Sequence, residues 1–280
     1  MAPTYKIAVI QLHPKPLAVE DNHSKAVEFI REAASQSCDL AVLPEYHLTS
    51  WVPDDPNFSK IAFTKQTPIG KLAIYSCYIY SKLKSSLTSR PPSNTTHLTQ
   101  RQSPLLPIPK YLNAYCFLAA ELNINIVPGT IVETHGTQLT NVAYFISNTG
   151  AILGQYQKKN LWHPERPHLT SSLHEPHVAF DTPLGKVGML ICWDLAFPEA
   201  FRELIAGGAK MIIIPTFWSL ADCTEKGLAY NAQSEALFLE STLVSRCFEN
   251  TCMVVFANAG GPKGGEKGSW AGLSQVAVPF

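Results

Sequence analysis

The chain has 280 residues, of which 46% are hydrophobic and 16% are charged, enough apolar material for a buried core. Lysine plus arginine number 22 and aspartate plus glutamate number 22, so nothing indicates nucleic acid or an anionic membrane surface as the main partner. No apolar run approaches the roughly 20 residues that a membrane-spanning helix needs. We therefore expect a soluble protein that acts on small molecules.

The seven cysteines are scattered along the chain and favour a reducing compartment. No two of them form a CxxC pair, and no group of histidines and cysteines has the spacing of zinc ligands. The N-terminal segment MAPTYKIAVIQL lacks the basic and apolar regions of a signal peptide. An odd number of cysteines without an export signal is typical of free thiols in the cytoplasm, where we expect this protein.

Short apolar segments alternate with amphipathic ones in chain order. The predicted strands cover 5–12, 40–45, 124–131, 141–147, 151–157, 186–192, 210–215 and 251–258. The predicted helices cover 21–36, 111–122, 198–207 and 226–249. Near-continuous apolar strands that alternate with helices are typical of an α/β fold whose sheets are covered by helices.

Residues 84–109 depart from this alternation. The segment KSSLTSRPPSNTTHLTQRQSPLLPIP is rich in serine, threonine and proline, and no acidic residue occurs between Asp55 and Glu121. A structureless loop of this length is uncommon inside a compact domain. We expect a disordered surface insertion here, with a basic peptide-binding arm or translated non-coding sequence as alternatives.

Three reactive side chains each lie at the end of an apolar, strand-like segment. Glu45 comes directly after LAVLP, where partial desolvation raises a carboxyl pKa and favours a base near neutral pH. Lys158 follows AILGQYQ, a position from which an ammonium can stabilise an anionic intermediate or a thiolate. Cys192 ends VGMLIC and precedes a helix start at Pro198, so its thiol is expected at a strand-to-helix turn, where ligands bind in open α/β sheets.

Each of these residues alone also fits an ordinary structural role. Most lone cysteines are inert core residues, a strand-end glutamate can cap a helix, and adjacent lysines such as Lys158 and Lys159 usually lie in a solvated loop. Glu165, seven residues after Lys158, could orient that lysine, polarise water or lie on the surface. A cysteine–histidine pair is a further alternative, and among the nine histidines His163 and His168 are expected to flank a pocket.

The ordered set of Glu, Lys and Cys at three strand ends resembles the nitrilase superfamily of carbon–nitrogen hydrolases. The matching segments are LPEY, GQYQKKNLW and GMLICWDLAFPEAFREL, supported by IIIPTFW and SRCFENTCMVVFANAGG. The similarity runs from residue 5 to about 278, without residues 70–110. It implies a four-layer α–β–β–α sandwich in one domain over residues 1–280, commonly dimerised, with no metal or organic cofactor.

By this resemblance, Glu45 is the general base, Lys158 stabilises the tetrahedral intermediate and Cys192 is the nucleophile. Lys158 is chosen of the two adjacent lysines because the family lysine stands two residues after a tyrosine, here Tyr156. Glu165 lies near a further glutamate of the amidase branches. The implied reaction is hydrolysis of a non-peptide carbon–nitrogen bond through a cysteine thioacyl intermediate.

Aromatic residues around the nucleophile predict an apolar substrate pocket, for which Trp193, Phe217 and Trp218 are the candidate lining. Family members that act on dicarboxylic acid monoamides tend to have an arginine where this chain has Ala196. True nitrilases usually show Cys-Trp-Glu, whereas this chain has Cys-Trp-Asp at 192–194. The resemblance therefore favours a small amide or carbamoyl substrate, with a nitrile as the alternative.

Two departures from the family pattern keep a non-enzymatic alternative open. One is the insertion at 84–109, and the other is a shortened C-terminus, since relatives usually continue beyond AGLSQVAVPF with another strand pair. A missing strand would leave an unpaired sheet edge. The alternative is a truncated or inactive family member that serves as a binding subunit, although the three reactive residues argue against it.

Overall fold

The computed structural model describes residues 4–64, 110–262 and 270–280. Its strands are β1 (Ile7–Val9), β2 (Leu40–Val42), β3 (Phe63–Thr64), β4 (Asn125–Val127), β5 (Thr130–His135), β6 (Gln138–Ile146), β7 (Ile152–Gln157), β8 (Phe180–Thr182), β9 (Gly185–Met189), β10 (Met211–Thr216), β11 (Met253–Asn258) and β12 (Gln275–Ala277). Its helices are α1 (Val19–Ser35), α2 (Phe58–Ile61), α3 (Lys110–Leu122), α4 (Pro198–Ala206), α5 (Glu225–Tyr230) and α6 (Ser234–Asn250). Two 3-10 turns cover His163–Glu165 and Cys192–Ala196. Within the described ranges, no helix is both long and apolar enough to cross a membrane.

The strands form two mixed sheets. The first has the order β1-β2-β4-β6-β5-β3, and β7 also pairs with β6. In it β1, β2 and β4 run parallel, whereas β6 is antiparallel to β4, β5 and β7. The second sheet has the order β12-β11-β10-β9-β8, with a parallel centre of β9, β10 and β11 and antiparallel strands at both edges.

Side-chain alternation along the strands explains the layers. In β2, Leu40 and Val42 belong to the core between the two sheets, while Ala41 and its neighbour Leu43 pack with α1 and α3 on the outer face. Helices α4 and α6 cover the outer face of the second sheet with apolar side chains such as Phe201. The predicted α/β class and the four-layer α–β–β–α arrangement are therefore confirmed.

One predicted strand, 124–131, is two strands in the structure. The chain turns between β4 and β5 at Pro128 and Gly129, and Gly129 has a φ of +64°. A Cβ at this position would lie 1.9 Å from the carbonyl oxygen of Pro44, so no larger residue fits there. This close approach packs the turn against the segment that presents Glu45.

The other differences concern element ends and short edge strands. The predicted helix 226–249 breaks at residues 231–233 into α5 and α6, and the predicted strand 186–192 ends at Met189. Strands β3, β8 and β12 lie at or near sheet edges and were not predicted, because each has only two or three residues and no clear apolar period. The insertion expected at 84–109 lies outside the described residues.

The ends of four strands converge where the two sheets face each other. Glu45 follows β2, Lys158 follows β7, Cys192 follows β9 and Phe217 follows β10. The backbone N–H of Glu45 donates to the carbonyl of Thr216 at 3.3 Å, which joins the first sheet to the second at this point.

Candidate active site

Cys192 lies in a strained turn between β9 and α4. Its φ is +48°, a left-handed conformation that is uncommon for a residue with a Cβ and often marks functional sites. The side chain is 7% exposed, and its Sγ lies 3.9 Å from the carbonyl oxygen of Phe217. Cys192 therefore begins a 3-10 turn, three residues after the last strand residue, Met189, instead of closing the strand.

Asp194 fixes this turn against the segment that carries Lys158. One of its carboxylate oxygens accepts the backbone N–H of Ile191 at 2.9 Å and the hydroxyl of Tyr156 at 2.8 Å. The other oxygen accepts the backbone N–H of Asn160 at 2.9 Å and its side-chain amide at 2.8 Å. Four hydrogen bonds satisfy the buried carboxylate and hold the Cys192 turn in register with the end of β7.

Lys158 is buried between two carboxylates. Its Nζ lies 2.8 Å from Oε1 of Glu45 and 2.8 Å from Oε1 of Glu165, and all three side chains are almost fully buried. Burial alone would lower the pKa of Lys158, but the charges of Glu165 and Glu45 outweigh it and raise the pKa well above its ordinary value. The ammonium is thus permanently charged at neutral pH.

Glu45 is held by groups from both sheets. Its Oε1 also accepts the side-chain amide of Asn141 at 2.8 Å, and its Oε2 accepts the backbone N–H of Phe217 at 3.0 Å. Burial raises the pKa of Glu45 to about 7, while Lys158 and a hydrogen bond from Cys192 act in the opposite direction. A carboxyl group with this pKa can accept and return a proton near neutral pH.

Glu165 and Cys192 complete the cluster. The hydroxyl of Tyr46 donates a hydrogen bond to Glu165, which also accepts the backbone N–H of Trp162 at 2.8 Å. Burial, together with the charge of Glu45, raises the pKa of the Cys192 thiol well above its ordinary value, against the influence of Lys158. The resting thiol is therefore protonated and requires a base before it can act as a nucleophile.

A cavity of about 330 Å³ opens onto this cluster. The seven predicted site residues all contribute to its wall: Glu45, Lys158, Glu165, Cys192, Trp193, Phe217 and Trp218. The wall also contains His163, as predicted, and Trp51, whose ring stands 6.0 Å from that of His168. Lys159 points elsewhere, with its Nζ 3.9 Å from Glu203.

Sequence comparison shows the family. A family model named carbon–nitrogen hydrolase matches residues 6–274. The chain belongs to the carbon–nitrogen hydrolase family. A probable nitrilase of Schizosaccharomyces pombe is 32% identical over 164 residues, which cover 58% of this chain and 54% of that protein. The human deaminated glutathione amidase is 25% identical over 260 residues, which cover 88% of this chain and 73% of the relative. The chain thus spans only about half the length of the yeast relative.

Solved structures support the same fold. The amidase from Nesterenkonia sp. AN1, solved as a double mutant in complex with acrylamide, matches with a TM-score of 0.67 and 19% identity. The match covers 100% of this chain and 85% of that chain. At this identity the likeness concerns the fold, and it agrees with the two mixed sheets described above.

Several site residues of this carbon–nitrogen hydrolase were not predicted. Asn141 and Tyr46 hold Glu45 and Glu165, and Asp222 and Glu235 lie on the cavity wall. Asn141 had one signal, since it is a polar residue at the start of the apolar segment NVAYFIS. Tyr46 had another signal, since it directly follows Glu45 in the segment LPEY, whereas Asp222 and Glu235 lie outside the segments that carried the prediction. In the described part of the chain, no group of three His, Cys, Asp or Glu side chains is arranged to hold a metal ion.

Proposed function

We propose that this protein hydrolyses the carbon–nitrogen bond of a small amide or carbamoyl compound through a thioacyl intermediate on Cys192. The observation that carries the proposal is the buried Lys158, held between two carboxylates on the wall of the cavity that also exposes the Cys192 thiol. A buried base, a fixed cation and a nucleophile on one cavity wall are the groups that acyl transfer needs.

In the first half of the reaction, Glu45 takes the thiol proton while Sγ of Cys192 attacks the carbonyl carbon of the amide. The negative charge that develops on the carbonyl oxygen is stabilised by the ammonium of Lys158 and by the backbone N–H of Trp193, near the start of the 3-10 turn. Protonated Glu45 then gives its proton to the nitrogen, the carbon–nitrogen bond breaks, and ammonia or an amine leaves.

In the second half, Glu45 accepts a proton from water as the water attacks the thioester. The carbon–sulfur bond breaks, the acid is released, and the proton returns to Cys192. Glu165 acts through Lys158, because its carboxylate keeps the lysine charged and in position at 2.8 Å. The protonated resting thiol and the carboxyl pKa of about 7 for Glu45 both support Glu45 as the base and Cys192 as the nucleophile.

Ammonia release from a panel of primary amides tests the proposal. We expect the wild type to release ammonia, Cys192→Ala to release none, and Cys38→Ala, which changes a thiol outside the cavity wall, to retain the wild-type rate. Mass spectrometry of the wild type mixed rapidly with substrate should detect an acyl adduct on Cys192. Ammonia release by Cys192→Ala at the wild-type rate would refute the mechanism, and acid formed from a nitrile but not from the amides would favour a nitrilase. Binding without turnover would favour the inactive binding subunit.

We also propose that the working form is a cytoplasmic homodimer. Leu237, Val244 and Phe248 are exposed on α6, and their spacing of seven and four residues places them on one face of the helix. A second copy of the chain could cover this apolar face. The six cysteines in the described ranges are free thiols, as a reducing compartment favours. Sedimentation at micromolar concentration should give a dimer mass, and a monomer mass would contradict this part of the proposal.

A further inference from the structure

Part of the cavity wall has no role in the proposed reaction. The ring of Trp218 stands 5.4 Å from that of Trp193, next to the nucleophile, and its indole N–H donates to Oε2 of Glu235 at 2.7 Å. Trp218 therefore lies between Trp193, at the reactive end of the cavity, and the carboxylate of Glu235. Glu235 lies at the start of α6 and shares the cavity wall with Cys192.

Asp222 lies close to Glu235. The residues next to them are in contact, since the hydroxyl of Ser234 lies 3.4 Å from Sγ of Cys223. One oxygen of Asp222 accepts the backbone N–H of Ser219 at 3.0 Å, and no cation pairs with Asp222 among the described residues. Burial raises the pKa of Asp222 to about 6 and the charge of Glu235 raises it further, while the Ser219 hydrogen bond and the more weakly acting charge of Lys158 lower it. A positive charge placed beside Asp222 would offset both its burial and the repulsion from Glu235.

The charges of the cavity wall are unbalanced. Its described residues include four carboxylates, and the one lysine is already bonded to two of them, Glu45 and Glu165.

None of the described wall residues is an arginine. Arg246 lies near the nucleophile turn, but its guanidinium donates to the backbone carbonyls of Leu195 and Ala196 at 3.3 and 3.4 Å. Among the residues that the structure describes, neither Asp222 nor Glu235 therefore forms an ion pair with a cation.

Aromatic rings surround the same space. Trp51, Trp193, Phe217 and Trp218 lie on the cavity wall, and Phe217 packs edge-to-face with Tyr46 at 5.9 Å. Such rings accept aliphatic chains, and their faces also attract an ammonium ion. Two carboxylates beside aromatic rings suit an aliphatic chain that ends in a positive charge, and they disfavour a chain that ends in a carboxylate.

We propose that the substrate is an aliphatic amide whose far end carries a protonated amine, which Asp222 and Glu235 bind while the amide carbon lies at Cys192. This assignment rests on the proposed function, because it names the substrate class of the same site. Asp222 and Glu235 are then the residues that determine specificity, and Trp218 both positions Glu235 and lines the path of the chain.

Three amides of matched length test the specificity. We compare kcat/KM of the wild type for 5-aminopentanamide, hexanamide and 5-amino-5-oxopentanoate, whose tails are cationic, neutral and anionic. A hydrogen bond between partly buried charged groups is worth roughly 1.5–3 kcal/mol, so the cationic amide should exceed the neutral one by about ten- to hundredfold. The anionic amide should be the poorest of the three. Equal rates for the cationic and neutral amides would overturn the proposal.

Variants identify the residues responsible. Asp222→Asn and Glu235→Gln should each lower the ratio of kcat/KM for 5-aminopentanamide over hexanamide, by about tenfold for Asp222→Asn. The matched control is Asp181→Asn, because Asp181 is 88% exposed and lies outside the cavity wall, and its ratio should equal that of the wild type. A ratio that stays the same in both cavity variants would overturn the assignment.

A binding measurement separates the failure of this inference from the failure of the proposed reaction. Titration calorimetry on Cys192→Ala should detect pentylammonium but not 1-pentanol, and Asp222→Asn added to that variant should weaken the binding of pentylammonium. If pentylammonium binds in this way but no amide is hydrolysed, the cation site stands and the proposed reaction fails. If amides are hydrolysed but pentylammonium does not bind, the reaction stands and the cation site fails. Neither binding nor turnover would overturn both.

Discussion

Glu45 and His47 are two residues apart and both are fully buried, yet their surroundings give them opposite properties. Glu45 meets the ammonium of Lys158, and its pKa is about 7. His47 points to the outer side of the first sheet, where Nε2 lies 2.8 Å from the hydroxyl of Tyr115. Burial lowers the pKa of His47 to about 3, so this histidine is neutral at physiological pH.

The comparison shows what a buried titratable group needs in order to do proton chemistry. Burial disfavours charge in both cases, but only Glu45 has a fixed group of opposite charge beside it that keeps its charged form accessible. His47 has a neutral hydroxyl as its partner, and it lies away from the cavity wall. The alternative of a cysteine–histidine pair therefore gains no support from His47, the histidine nearest to Glu45 in sequence.

The contrast between Glu45 and His47 depends on the ammonium of Lys158, so removing this ammonium should have the largest effect. Lys158→Met leaves Glu45 and Glu165 buried without their partner, and breaking a buried ion pair typically costs about 3–5 kcal/mol. We expect loss of turnover and a matching fall in the free energy of unfolding, measured by ammonia release and urea denaturation. Lys159→Met is the control, because the partly exposed pair of Lys159 with Glu203 is long, at 3.9 Å, and should contribute less than about 1 kcal/mol. Equal effects of the two substitutions would exclude the assignment of Lys158.

Removing the base should have the next largest effect. Glu45→Gln keeps the shape and the hydrogen bond from Asn141 but cannot take the thiol proton, so kcat/KM should fall by about 10²–10⁴-fold. Because the carboxylate is the active form and its pKa is about 7, kcat/KM of the wild type should rise as pH increases through 7. The variant should lose that rise. If kcat/KM of Glu45→Gln rose by the same factor at the same pH, the rise would have to come from the titration of another group.

Changing the histidine should have the smallest effect on catalysis. His47→Phe leaves the buried hydroxyl of Tyr115 without its partner, which should lower the free energy of unfolding by about 1–3 kcal/mol. Because His47 is neutral throughout the working pH range, the pH dependence of kcat/KM should not move. Urea denaturation and the pH profile of ammonia release measure the two quantities. A shift in the pH dependence of kcat/KM would contradict this prediction and show that His47 affects proton transfer at the site.

Much of the site could be predicted from the sequence because each reactive residue follows an apolar segment that forms a strand. Glu45, Lys158 and Cys192 were expected at strand ends, and the structure brings all three to one cavity wall. The choice of Lys158 over its neighbour agrees with the observed contacts, since alternate residues of an extended chain point to opposite sides. Because the local apolar pattern determines where each strand ends, the sequence was sufficient to predict these three positions.

Other features depend on residues that are distant in sequence and could be found only in the folded structure. Asn141 contacts Glu45 across 96 residues, and Lys158 does so across 113. The carboxylates of Asp222 and Glu235 come together because the loop after β10 folds back against the start of α6. Apolar periodicity therefore determined the layers and the strand ends. Packing of the two sheets decided which polar groups share a cavity, because such contacts depend on the relative placement of strands and not on any local pattern.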